Sequence, residues 1–156
     1  MTHRAVFTLH DMARNAAERD PSGIAVVSGS DRYTFADLLG AAEAMAAALV
    51  EHGVRLGDRV AIYAEKSFEA VAAMVAASLA GAAYVNVNPL LRARQALHIL
   101  RDCDVRLVIG DAEKLAGLGE EAPERAFVIG DQVPDVPRAG GWLTLAEVLR
   151  GDPGRA

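Results

Sequence analysis

The stretch from Leu79 to Gly110, LAGAAYVNVNPLLRARQALHILRDCDVRLVIG, most narrows what this chain can fold into. It reads as a helix end, a buried strand, a turn, an amphipathic helix and a second buried strand. Two strands joined through a helix run parallel, and a parallel sheet is covered by helices on its faces. Its implied fold class is therefore α/β.

The flanking sequence extends the same alternation. Leu9, Met12, Ala13 and Ala16 share one face of a helix predicted over 9–19, and Pro21 to Gly23 stop it. Ile24 to Ser28 and Arg32 to Thr34, around Gly29-Ser30-Asp31, read as a small antiparallel hairpin. Thr34 then has the character of an N-cap, with Asp37 three residues on. In the helix it opens, Phe35, Leu38, Leu39, Ala42, Met45, Ala46 and Leu49 recur at spacings of three and four, and Gly53 stands where a left-handed C-cap glycine would end it. Arg59 to Ala64 is a strand, apolar on both faces at its centre. Ser67 caps the next helix, Gly81 ends it, and the strand Ala83 to Val87 follows until Asn88-Pro89 breaks it. A helix marked by Ala93, Ala96, Leu97 and Leu100 leads to the strand Val105 to Ile109. The pattern recurs more faintly, with Asp111 capping a short helix through Leu118, a strand over Ala126 to Ile129, a loop over Val133 to Gly141, a helix from Trp142 to Arg150 and a tail from Gly151. Short connections between alternating strands and helices imply right-handed crossovers and a mostly parallel sheet with helices on both faces.

Composition excludes several classes of function. A net charge of −5, with arginines scattered along the chain, gives no basic surface for nucleic acid. The longest apolar run, Ala70 to Val85, is interrupted by Ser78 and Gly81 and is shorter than the roughly 20 residues a membrane span needs. Cys103 is the only cysteine, so no disulfide can form within the chain, and the N-terminus has no apolar stretch of signal-peptide type. A cytoplasmic setting is expected. His3, His10, His52 and His98 lie far apart and show no metal-ligand spacing with Cys103 or a carboxylate.

In an open parallel sheet, ligands sit beyond the carboxyl ends of the strands. The residues there are Glu65, Lys66 and Ser67, then Asn86 and Asn88, then Gly110 and Asp111. Lys66 could meet an anion, although a solvated loop lysine is the ordinary case, and Asn86 and Asn88 set up the turn before Pro89. Neither Gly29-Ser30-Asp31 nor Gly110-Asp111-Ala112 has the G-x-G-x-x-G spacing, and no phosphate loop ending in Gly-Lys-Ser/Thr occurs. Asp102 and Asp104 flank a helix-to-strand turn and are expected to be solvated turn residues, with Cys103 an inert helix-end thiol. Arg92, Arg94 and Arg101 are expected on the solvent face of their helix. From the residues alone, no catalytic, cofactor-binding or metal site is assigned.

Three strings, in order, carry a resemblance. Tyr33-Thr34-Phe35-Ala36-Asp37-Leu38 resembles the early Leu-Thr-Tyr-x-Glu-Leu motif of the adenylate-forming, or AMP-binding, enzymes, which include acyl-CoA synthetases, nonribosomal adenylation domains and luciferases. Gly57-Asp58-Arg59-Val60-Ala61 resembles the Gly-Asp-Arg-Val that follows, and Leu79 to Pro89 resembles Leu-Lys-Ala-Gly-x-Ala-Tyr-Val-Pro-x-Asp/Asn-Pro. Asn88-Pro89-Leu90-Leu91 with Gln95 to Val105 is most similar to bacterial acyl-CoA ligases, nearest the exosortase-associated subgroup. Asp37, Asn86 and Cys103 depart from the usual Glu, Pro and Ser.

The resemblance covers residues 9 to about 130 and implies a single N-terminal subdomain over 1–156, of which 131–156 form a loop, a short helix and a tail. It implies a parent reaction in which ATP and Mg²⁺ activate a carboxylate to an acyl-adenylate that passes to coenzyme A. The phosphate loop, adenine and ribose motifs and catalytic lysine of that family have no counterpart among these residues, so no cofactor is expected to bind this chain alone. Two functions are therefore expected. One is a fragment of an acyl-CoA ligase that is inactive alone, and the other is a binding or assembly module that docks on a separate chain or self-associates through uncovered apolar surface.

Overall fold

The computed structural model describes residues 7–137 and 139–150. His3 and the tail from Gly151 lie outside the described residues. The chain begins with α1 (Leu9–Arg19), the hairpin β1 (Ile24–Ser28) and β2 (Asp31–Thr34), and α2 (Phe35–Glu51). There follow β3 (Arg59–Tyr63), α3 (Phe68–Leu79), β4 (Ala83–Asn86), α4 (Ala93–Asp102), β5 (Val105–Asp111), α5 (Ala112–Gly117), β6 (Ala126–Ile129), β7 (Leu143–Thr144) and α6 (Leu145–Arg150).

Local sequence explains where the helices start and stop. At α2 the Thr34 hydroxyl accepts from the Asp37 N–H at 3.1 Å, and the Asp37 carboxylate accepts from the Thr34 N–H at 2.8 Å. Thr8 and Asp11 make the same reciprocal pair at α1. Two orphan backbone donors are thereby satisfied at each helix start. Beyond α2, Gly53 adopts φ +85°, and beyond α3, Gly81 adopts φ +75°, conformations in which an L side chain is strained.

The five-stranded sheet has the order β4-β3-β5-β6-β7 and is parallel throughout. Strand alternation sorts the core into two layers. Val60, Ile62, Leu107, Ile109 and Phe127 pack on one face with Met45, Leu49, Ala72 and Val75 of α2 and α3. Ala61, Tyr63, Val108, Ala126 and Val128 pack on the other with Ala96, Leu97, Leu100 and Leu115 of α4 and α5. The hairpin sits beside the first layer, where Tyr33 stacks on Phe68 with ring centroids 3.9 Å apart.

The α/β class and helices on both faces agree with the expectation, and three details differ. Of the strand expected over Ala83 to Val87 only Val87 is fully buried: β4 ends at Asn86, lies at the sheet edge, and leaves Ala83, Tyr84 and Asn86 exposed because only β3 pairs with it. Asp111 precedes α5 without capping it, because its carboxylate is engaged elsewhere. Trp142 lies outside the last helix. Its indole N–H donates to the Pro123 carbonyl at 3.0 Å, Leu143 and Thr144 add to the sheet, and Thr144 rather than Trp142 leads into α6.

Candidate functional site

The order β4-β3-β5 contains a reversal. From β3 the chain crosses one way through α3 to β4, whereas from β5 it crosses the other way through α5 to β6, with the two helices on opposite faces. Between the carboxyl ends of β3 and β5 lies the crevice where ligands of doubly wound sheets are found.

Side chains of this chain occupy that crevice. Lys114, in the first turn of α5, places Nζ 3.0 Å from Glu65 Oε1 and 3.0 Å from the Pro89 carbonyl, and 5.7 Å from the centre of the Tyr63 ring. The Tyr63 hydroxyl donates to the Leu91 carbonyl at 2.8 Å. Across the crevice the Glu65 N–H donates to Asp111 Oδ2 at 2.7 Å, which is why Asp111 is lost to α5 as a cap. Gly110 completes the closure, since a Cβ there would lie 2.5 Å from the Tyr63 carbonyl. The loops after β3, β4 and β5 are thus held together by one lysine, one tyrosine and two carboxylates. The hydrogen bond that Lys114 donates to the Glu65 carboxylate raises the Lys114 pKa above its ordinary value, so the ammonium stays charged at neutral pH.

Of the residues singled out from the sequence, Glu65, Gly110 and Asp111 meet here. Lys66 is exposed on the rim, Ser67 caps α3 through Ala70 at 3.1 Å, and Asn88 closes the turn to Leu90 at 2.9 Å. Asn86 faces Met74, its amide 4.0 Å from the sulfur. Lys114 was not among them, although its place three residues after Asp111, in the helix that leaves β5, was a usable signal. At the opposite end of the sheet, Arg59 ties Cys103 and Asp104 down, donating to the Cys103 carbonyl at 2.7 Å and to Asp104 Oδ2 at 2.8 Å. Arg92 and Arg94 are exposed, and Arg101 pairs with Glu121.

The family described as AMP-binding enzyme matches residues 13–145. This chain belongs to that family. The L-proline--[L-prolyl-carrier protein] ligase of Streptomyces coelicolor is 35% identical over 135 residues, covering 82% of this chain and 24% of that protein. The medium/long-chain-fatty-acid--CoA/3-oxocholest-4-en-26-oate--CoA ligase of Mycobacterium tuberculosis is 28% identical over 153 residues, covering 93% of this chain and 28% of that protein. Among solved structures, the anthranilate CoA ligase in complex with anthranoyl-AMP superposes with a TM-score of 0.82 at 25% identity, over 92% of this chain and 28% of that one. The fold is that of the N-terminal subdomain of adenylate-forming enzymes. The chain spans between 1% and 28% of the lengths of the curated relatives it matches.

For an AMP-binding enzyme the implied cofactors are ATP and Mg²⁺, and the crevice does not fit them. Its ammonium is already engaged by Glu65 and Pro89, its Asp111 carboxylate accepts a backbone N–H, and β5 lies so close to β3 that a Cβ at Gly110 would meet the Tyr63 carbonyl. Among the described residues no group of three or more His, Cys, Asp or Glu could hold a metal ion. No helix among the described residues is long and apolar enough to cross a membrane.

Proposed function

We propose that this chain supplies the N-terminal scaffold of an ATP-dependent acid–thiol ligase of the acyl-CoA type, and that it forms no adenylate by itself. The observation that carries the second part is the self-satisfied crevice: Lys114, Glu65 and Asp111 spend their charges on one another and on backbone at the one place where a doubly wound sheet would take a ligand. In the parent reaction the carboxylate attacks the α-phosphorus of ATP, pyrophosphate leaves, and a thiol then displaces AMP to give the thioester. This chain's part is to hold the loops after β3, β4 and β5 in fixed relation beneath chemistry performed elsewhere.

The CoA preference draws on the acyl-CoA-ligase character of Asn88 to Leu91 and of Gln95 to Val105. A carrier-protein thiol is the second reading, favoured by the 35% identity to the prolyl-carrier-protein ligase. Two assays separate these statements. Incubated with ATP, Mg²⁺ and a panel of fatty acids and proline, the purified 156-residue chain is expected to release no pyrophosphate above background, and substrate-dependent release would overturn the inactivity. The product of the whole open reading frame that encodes these residues is expected to acylate free coenzyme A. Acylation confined to a carrier-protein phosphopantetheine would overturn the CoA reading.

A further inference from the structure

Beside the carboxyl end of α4 the chain encloses a second concavity, at the amino end of β5 and so at the end of the sheet away from the crevice. Its volume of about 310 Å³ lies within the roughly 300–1,000 Å³ of small-molecule pockets. Leu97 and Leu100 of α4, Val105 and Val108 of β5, and Pro123 give it an apolar interior, with Leu97, Leu100 and Val108 buried. Arg101, Asp104 and Glu121 are the charged members of the lining. A mostly apolar concavity with a few convergent polar groups is the anatomy of a ligand site. All eight lining residues fall between Leu97 and Pro123, so one short stretch of this chain supplies every wall.

The charges of the lining select the ligand. Arg101 on α4 pairs with Glu121 on the segment before Pro123, joining two walls of the cavity, but the two side chains are 64% and 58% exposed, and a pair so exposed is worth little and opens readily. Asp104 adds a second carboxylate, held from outside the lining by Arg59 at 2.8 Å. The carboxyl end of α4 adds the negative end of its dipole. Once Arg101 swings into solvent, the cavity presents carboxylates and a helix end above an apolar interior. We propose that it binds a small organic amine on a short apolar chain. The chain lies on Leu97, Leu100, Val105 and Val108, and the ammonium replaces the Arg101 guanidinium as the partner of Glu121. An alkylammonium stays charged at neutral pH, donates three hydrogen bonds, and leaves its chain to be drawn out of water. A carboxylate on the same chain would meet Glu121 and Asp104 as like charges, and an alcohol would leave Glu121 without a cation. The inference goes beyond the scaffold reading and does not rest on it.

Titrating hexylamine at pH 7 into the isotopically labelled full chain, while following the amide resonances of Leu97, Leu100, Val105 and Val108, tests it. Saturable shifts at these residues with a Kd of about 1–10 mM are expected, the strength open to a ligand of so few heavy atoms. Hexanoate, hexanol and methylammonium, which in turn reverse the charge, remove it and remove the chain, are each expected to bind at least tenfold more weakly. Two variants should move the hexylamine affinity in opposite directions. Glu121→Gln removes the ammonium's partner and should weaken binding about tenfold. Arg101→Gln removes the competing cation and should tighten it roughly two- to fivefold. If a variant fails to fold, the ranking of the four probes by the native chain decides alone. Hexanol or hexanoate binding as tightly as hexylamine, the absence of saturable shifts at these residues, or variants that shift the affinity in the same direction or not at all would each overturn the proposal.

Discussion

At the scale of single residues, Lys114 and Gly110 carry the carboxyl end of the sheet. Lys114→Met keeps the stem against Tyr63 but removes the ammonium from Glu65 and Pro89, and about 1 kcal/mol of stability should go in urea unfolding, a modest figure because Glu65 is 65% exposed. Since hydrogen bonding to Glu65 raises its pKa above 10.5, the contribution is fully present below that pH and is lost as pH rises through the raised value. The variant should therefore show a flatter alkaline limb than the parent. Gly110→Ala tests the close approach of β5 to β3. Its Cβ would lie 2.5 Å from the Tyr63 carbonyl and 3.1 Å from a Leu115 methyl, and overpacking of this kind costs about 1–3 kcal/mol, read as a lowered urea midpoint with an unchanged slope. Gly110 was visible in the sequence as a strand-end glycine; its reason was not, because that reason is a carbonyl on another strand.

At the scale of elements, α2 is the helix most fully written in the sequence. Its cap, its three-and-four spacing and its terminal glycine all appear where the local pattern puts them, because each depends on neighbours within a turn or two. Thr34→Ala should cost about 1 kcal/mol, measurable by thermal melts. Hydrogen bonds from the Thr34 backbone and hydroxyl hold the Asp37 pKa below 3.8, and the Thr8 hydroxyl does the same for Asp11, so both caps contribute fully above that pH and fail as pH falls through the lowered values. Asp37→Asn should blunt the acid limb of the stability profile. Gly40, exposed in the interior of α2 with nothing within 4 Å of a Cβ, offers the opposite sign: Gly40→Ala should stabilise by about 1 kcal/mol. The elements least legible were β4, β7 and α6. Exposure of β4 follows from strand order, which no local run of residues encodes. The pairing of Leu143 and Thr144 is too short for any period, so the local pattern places Trp142 in a helix, whereas its indole anchors a loop to Pro123.

At the scale of the whole molecule, two parallel halves meet at the reversal between β3 and β5, and the chain's own charged groups fill it. Family membership was legible because three motifs keep their order across α2, β3 and the turn after β4. The candidate site was half legible: Glu65, Gly110 and Asp111 stand at strand ends that alternation predicts, while Lys114 enters from a helix whose approach to Pro89 is set only by the packed fold. We propose that this sheet is scaffold and that its crevice takes no nucleotide. Titrating ATP·Mg²⁺ into the isotopically labelled chain, while following the amide resonances of Glu65 to Ser67 and of Gly110 to Lys114, tests it most directly. Resonances that stay in place up to millimolar nucleotide are the expected result. Saturable shifts at both segments, abolished by Lys114→Met, would contradict it.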